Sequence, residues 1–98
     1  MRQSKLTKAA RDRECQVRIP GVCNGNPETT VLAHYRMAGT CGVGCKPNDL
    51  QGAWACSACH DACDGRSKLV DRETARRYHA EGVMRTQAQL ISEGIVAA

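Results

Sequence analysis

The segment ACSACHDACDGR, residues 55–66, gathers three cysteines, one histidine and two aspartates into twelve positions. Cys56 and Cys59 form a C-x-x-C knuckle, the spacing at which a single turn presents two thiolates to one metal ion. A tetrahedral zinc site needs a second pair, and Cys15 and Cys23 offer one on a distant segment, so that the ion would clamp two parts of the chain together. Cys41 and Cys45, set among glycines, are a rival pair, and four-cysteine combinations that include them stay open. Cys63 reads most simply as a helix residue packing inward. The plain alternative for any of these cysteines is a small buried apolar residue.

A staple of this kind answers a need of the whole chain. The 98 residues contain no Phe, one Trp and two Tyr, and seven cysteines. A chain of this length buries a modest share of its surface, and Ala, Val and Cys supply little core volume. The first fifteen residues, MRQSKLTKAARDREC, carry cations and no apolar run, and no stretch of the chain approaches membrane-spanning length. The expectation is a cytoplasmic protein without membrane contact, where clustered cysteines bind metal more often than they form disulfides. CSACH also fits the local pattern for covalent haem attachment, but that chemistry belongs to exported proteins. A thioredoxin-like redox motif would need a βαβ setting, and the flanking chain offers hairpins instead. The formal charge of +4 suits a polyanionic partner without singling one out.

The elements that must position these groups form a small α+β fold in a single domain over residues 1–98. Residues 4–13, SKLTKAARDR, read as a short amphipathic helix with Leu6, Ala9 and Ala10 on one side. Residues 15–36 read as a β-hairpin, two extended pieces around the Gly-Asn-Pro break at 25–27, with the second piece, TTVLAHY, rich in β-branched residues. Pro47 and Asn48 favour a turn, LQGAWAC extends again, and SACHDACDGR opens a short helix. Asp71 is a fitting N-cap and Gly94 a fitting C′ stop for a long C-terminal helix over about 71–94. Ala75, Tyr78, Gly82, Thr86 and Leu90 recur on it at helical spacing, as one helix or as two pieces hinged at Gly82.

LAHYR on a strand, the polar loop KPND, and CSACH opening a helix together resemble the HNH, or ββα-metal, nuclease arrangement. Residues 13–66 resemble the YbcO-like family of phage and prophage nucleases through RECQVRIPGVCNGNPETTVLAHYR and KPNDLQGAWACSACHDACDGR. The resemblance implies a zinc-stapled ββα-metal core over about 13–66 and a metal-dependent endonuclease acting on DNA. His60 and Asp64 lie four apart, on one face of a helix, where an imidazole and a carboxylate can hold a divalent cation. They match a metal-binding pair that is usually two histidines, and the carboxylate shifts the preference toward Mg²⁺ or Mn²⁺. His60 as a capping or supporting group beside the zinc knuckle is the plainer alternative.

His34 falls where the resemblance places a general base, and a neutral imidazole can take a proton from water as that water attacks phosphorus. Just before it such enzymes carry a metal ligand, and this chain has Ala33. Asp49 can fill that gap by binding metal or by orienting His34, with Asn48 an alternative for the orienting role. Arg36 and Arg66 are candidate grips on substrate phosphates. Arg72, Arg76 and Arg77 read as solvating a helix face, Trp54 as core and His79 as structural. Two rival functions stay open: a catalytically silent nucleic-acid-binding module, and a zinc-dependent protein-interaction domain.

Overall fold

The computed structural model describes residues 5–36 and 48–97. Helix α1 (Lys5–Ala9) precedes strand β1 (Val31–His34), and strand β2 (Gly52–Ala55) leads through Cys56 into helix α2 (Ser57–Cys63). A long helix, α3 (Arg72–Ser92), closes the fold. The order β1, β2, α2 is the expected one, in a small α+β architecture built on a two-stranded antiparallel sheet.

The hairpin expected within residues 15–36 does not form. Val31–His34 is a strand, but its partner is Gly52–Ala55, in the register Val31 to Ala55 and His34 to Gly52. Val17 and Ile19 alternate inward and are fully buried, as a strand would have them. Arg18 between them has φ of 55°, in the left-handed region, which no strand tolerates. The segment instead turns, with the Val22 and Cys23 amides both donating to the Ile19 carbonyl.

The two-residue period of a strand sorts the sheet's side chains into two cores. Ala33, Ala53 and Ala55 pack with the cysteines, Val17 and Ile19, whereas Leu32 and Trp54 pack with Ala10 and Leu90. Three alanines on the first face let the cysteine-bearing segments come close to the strands. On the second, α1 acts as the expected brace, through Leu6 and Ala9 against the Trp54 cluster.

The outer edge of β2 is sealed by other elements. The Trp54 carbonyl accepts from the Gln16 amide at 2.6 Å, and the Trp54 amide donates to the Thr86 hydroxyl of α3 at 3.0 Å. Neither backbone group is left for a foreign strand. α3 runs unbroken through Gly82, where a Cβ would meet the Gln16 carbonyl at 3.1 Å and Val17 Cα at 3.1 Å. Gly82 is thus a point of close approach, not a hinge. The expected caps are in place: Asp71 accepts from the Thr74 amide, and Gly94, at φ 73°, lets the Ile95 amide return to the Leu90 carbonyl.

Thr86→Val should therefore leave the buried Trp54 amide without an acceptor and destabilise the fold by about 1–3 kcal/mol. Thr86→Ser, which keeps the hydroxyl, should lose less. The check is the urea midpoint of each variant at constant m-value.

Candidate metal centre and its neighbouring cleft

The Sγ atoms of Cys15, Cys23, Cys56 and Cys59 all lie within 4.8 Å of one another. Cys15 and Cys23 bracket the irregular segment, and Cys56 caps α2, its sulfur accepting from the Cys59 amide at 3.4 Å. Two further amides point at sulfur, Arg18 at Cys15 (3.4 Å) and Asn24 at Cys56 (3.5 Å). The left-handed turn at Arg18 aims the first of these back at its ligand.

Such donors favour the thiolate form that a metal requires. The set fits zinc by size: four bonds of about 2.3 Å in a tetrahedron separate the sulfurs by roughly 3.8 Å. The Cys56 and Cys23 sulfurs stand 3.8 Å apart. Charge points the same way. The Cys59 thiol beside it lowers Cys15 to about 4, while that pairing and burial raise Cys59. A cation among the four would let the remaining thiols ionise. The four-cysteine cluster can thus bind a metal such as zinc. Cys63 stays outside it, its thiol pushed up to about 12 by burial. Cys41 and Cys45 lie outside the described residues.

His34, Asp64 and several cations line a cleft of about 340 Å³, and Asp49 and His60 are the partners of the first two. His34 ends β1, and the antiparallel register sets it opposite Gly52, three residues after Asp49. Its Nε2 lies 2.7 Å from Asp49 Oδ1. A carboxylate there accepts a proton held on Nε2 and leaves the lone pair on Nδ1. Asn48, the other residue considered for that contact, spends its side chain on the Leu50 amide at 2.9 Å.

On α2, His60 Nε2 and Asp64 Oδ2 stand 3.2 Å apart. That separation is one of direct contact between an imidazole and a carboxylate one helical turn apart. Arg36 lines the cleft. Arg66 does not; it is exposed and bound to Asp64 at 2.7 Å and Asp61 at 3.4 Å. Ala33 is buried in the core and offers nothing to the cleft.

Two readings of α3 need revision. Arg72 and Arg76, expected only to solvate the helix, line the cleft together with Lys68 and His79. His79, not Tyr78, takes the buried position: its Nε2 lies 2.8 Å from the Ala33 carbonyl, and its ring meets Tyr35 edge-on at 5.1 Å. Positions 72, 76 and 79 share one face with the buried Ala75, the signal by which the sequence could have shown them.

A small α+β fold with a four-cysteine cluster able to hold a metal, and a cleft lined by cations, defines a class of small domain. Comparison with known proteins narrows it. The family model described as "Putative nuclease YbcO" matches residues 4–95, and the chain belongs to that family. It is 59% identical over 93 residues to "Putative nuclease YbcO" of Escherichia coli (strain K12), spanning 95% of this chain and 97% of that one. The same figures hold for "Putative nuclease ybcO" of Enterobacteria phage 82. A solved structure, "Structure of a putative bacteriophage protein from Escherichia coli str. K-12 substr. MG1655", superposes with a TM-score of 0.79 at 55% identity, covering 91% of this chain and 99% of that one.

Replacing Cys15, Cys23, Cys56 or Cys59 by Ser is expected to remove bound zinc and cooperative unfolding together, whereas Cys63→Ala should keep both. Metal content by plasma mass spectrometry beside a thermal melt reads this. Retention of zinc by Cys15→Ser would remove that residue from the set.

Burial holds the His79 pKa below its ordinary value of 6.5, against the opposing pull of the Ala33 carbonyl and Asp64. Its folded value lies under its unfolded one, so its contribution to stability is complete above about pH 6.5 and is lost as the pH falls. Between pH 7.5 and 5.5, with zinc in excess, the wild-type urea midpoint should drop further than that of His79→Gln, which retains a donor for Ala33 and does not titrate.

Proposed function

We propose that the chain is a metal-dependent endonuclease that hydrolyses phosphodiester bonds in DNA on an HNH, or ββα-metal, plan, acting in the cytoplasm. Zinc in the cysteine cluster holds the fold, and Mg²⁺ or Mn²⁺ binds at His60 and Asp64. One observation carries the reading: His34, whose Nε2 lies 2.7 Å from Asp49 Oδ1, lines a cleft that is also lined by Asp64 and by cations. Membership of a family named for nuclease activity agrees with it.

In this mechanism Asp49 holds the proton on His34 Nε2, and Nδ1 takes one from the attacking water. The carboxylate also stabilises the imidazolium that results. His60 and Asp64 would hold a divalent ion, which would supply positive charge to the phosphoryl oxygens. Arg36 holds a phosphate oxygen, and Arg66 orients the Asp64 carboxylate while its exposed guanidinium reaches toward the substrate backbone.

The burial of Ala33 favours a second reading, a catalytically silent nucleic-acid-binding module. With Ala33 in the core, this chain brings the ion few ligands.

Plasmid nicking across a Mn²⁺ titration separates the two. His34→Ala should slow cleavage by about two to four orders of magnitude, the usual worth of a general base, with the Mn²⁺ midpoint unchanged. Asp64→Ala should move that midpoint upward and be partly rescued by excess Mn²⁺. Equal, metal-insensitive rates in wild type and both variants would sink the assignment. Absence of cleavage by wild type on duplex, single-stranded and branched DNA would favour the binding module.

A further inference from the structure

The cleft that His34 lines is more basic than cleavage at one phosphate requires. Arg36, Lys68, Arg72 and Arg76 line it against a single carboxylate, Asp64. Arg76 is held in place: its Nη2 donates to the Tyr35 hydroxyl at 2.9 Å and to the Arg36 carbonyl at 3.2 Å, and its guanidinium lies 4.6 Å from the Tyr35 ring centre. None of these partners is an anion, and among the described residues no carboxylate pairs with Arg76 or with Arg72. Arg72 sits one turn earlier on the same face of α3.

A guanidinium fixed by neutral contacts at a cleft wall keeps its charge and part of its donor fork for an incoming anion. It also has less side-chain entropy to lose when that anion binds. Arg77, the adjacent cation, lies instead over Tyr78 and does not line the cleft.

We propose that Arg72 and Arg76 clamp a phosphate of a nucleic-acid strand beside the scissile one, so that the cleft takes a polynucleotide with several linked phosphates, not a mononucleotide. The clamp rests on the reading of the partner as nucleic acid, and it stands apart from catalysis: neither arginine touches His34, Asp49, His60 or Asp64 by any hydrogen bond or ion pair among the described residues. Cations here add binding energy through release of the counterions condensed on the strand.

The test is fluorescence anisotropy with a labelled oligonucleotide, single-stranded and duplex, on the full zinc-loaded chain without added Mg²⁺ or Mn²⁺. Arg72→Gln and Arg76→Gln should each weaken binding about tenfold. Each should also flatten the slope of log affinity against log salt by about 0.7 to 0.9, the value of one lost phosphate contact. Arg76→Lys should restore the slope, and Arg77→Gln should leave it at the wild-type value. Inorganic phosphate and a mononucleotide should compete only weakly. Arg72 is exposed, so its variant decides the matter even if Arg76→Gln unfolds.

A wild-type slope in Arg72→Gln overturns the clamp, as does full competition by a mononucleotide. Cleavage by wild type with unaltered slopes in the variants removes the clamp and leaves the nuclease. Altered slopes without cleavage remove the nuclease and leave the clamp. A wild type that binds neither oligonucleotide overturns both.

Discussion

Four sulfur atoms within 4.8 Å of one another, from two segments more than thirty residues apart, set the constraint on which the rest of the molecule depends. As thiols they would be a poor core, and as thiolates they would repel; a tetrahedral cation resolves both difficulties. The sequence offers little to replace such a staple. Trp54 is the one large aromatic in the core, and the sheet beneath the cysteines is faced with alanine. The irregular segment 15–23 joins the sheet through one backbone bond, Gln16 to Trp54, and is otherwise held by its sulfurs, by Val17 and Ile19, and by α3 through Arg85, whose guanidinium donates twice to the Gln16 carbonyl.

The cysteine cluster reaches the cleft through α2. Cys56 begins that helix and Cys59 lies in its first turn, so fixing the two sulfurs fixes the direction in which His60 and Asp64 leave it. β1 brings His34 from the other side, in a register set by pairing with β2. α3 then ties the two together: His79 holds the Ala33 carbonyl immediately before His34, and Arg76 holds the strand's exit at Tyr35 and Arg36. The groups that line the cleft are thereby carried on elements that pack with the cysteine cluster or extend from it.

Much of this was legible where chemistry dictates spacing. The C-x-x-C knuckle, the Asp71 and Gly94 caps, the one-turn separation of His60 and Asp64 and the inward Trp54 are local patterns, and each is met in the structure. The errors lie where local signals mislead. Val17 and Ile19 carry a strand's alternation, but Arg18 breaks the strand, and the true partner of β1 sits beyond residues 37–47, a pairing no local pattern reveals. Tyr78 and His79 are adjacent on a helix, and a small error in phase gave the buried position to the larger aromatic. Arg72 and Arg76 looked like solvated charge because the cleft they line is assembled from three separate elements.

We propose two metal sites of different chemistry joined by a single short helix, one soft and closed at the four cysteines, the other hard and open at His60 and Asp64. The most direct measurement is element-specific anomalous diffraction from crystals of the purified protein soaked in Mn²⁺, with data at the zinc and manganese edges. The predicted result is one zinc peak among Cys15, Cys23, Cys56 and Cys59, about 2.3 Å from each sulfur, and a separate manganese peak between His60 and Asp64. A disulfide or an empty space among the four sulfurs, or manganese bound anywhere but at His60 and Asp64, would contradict it.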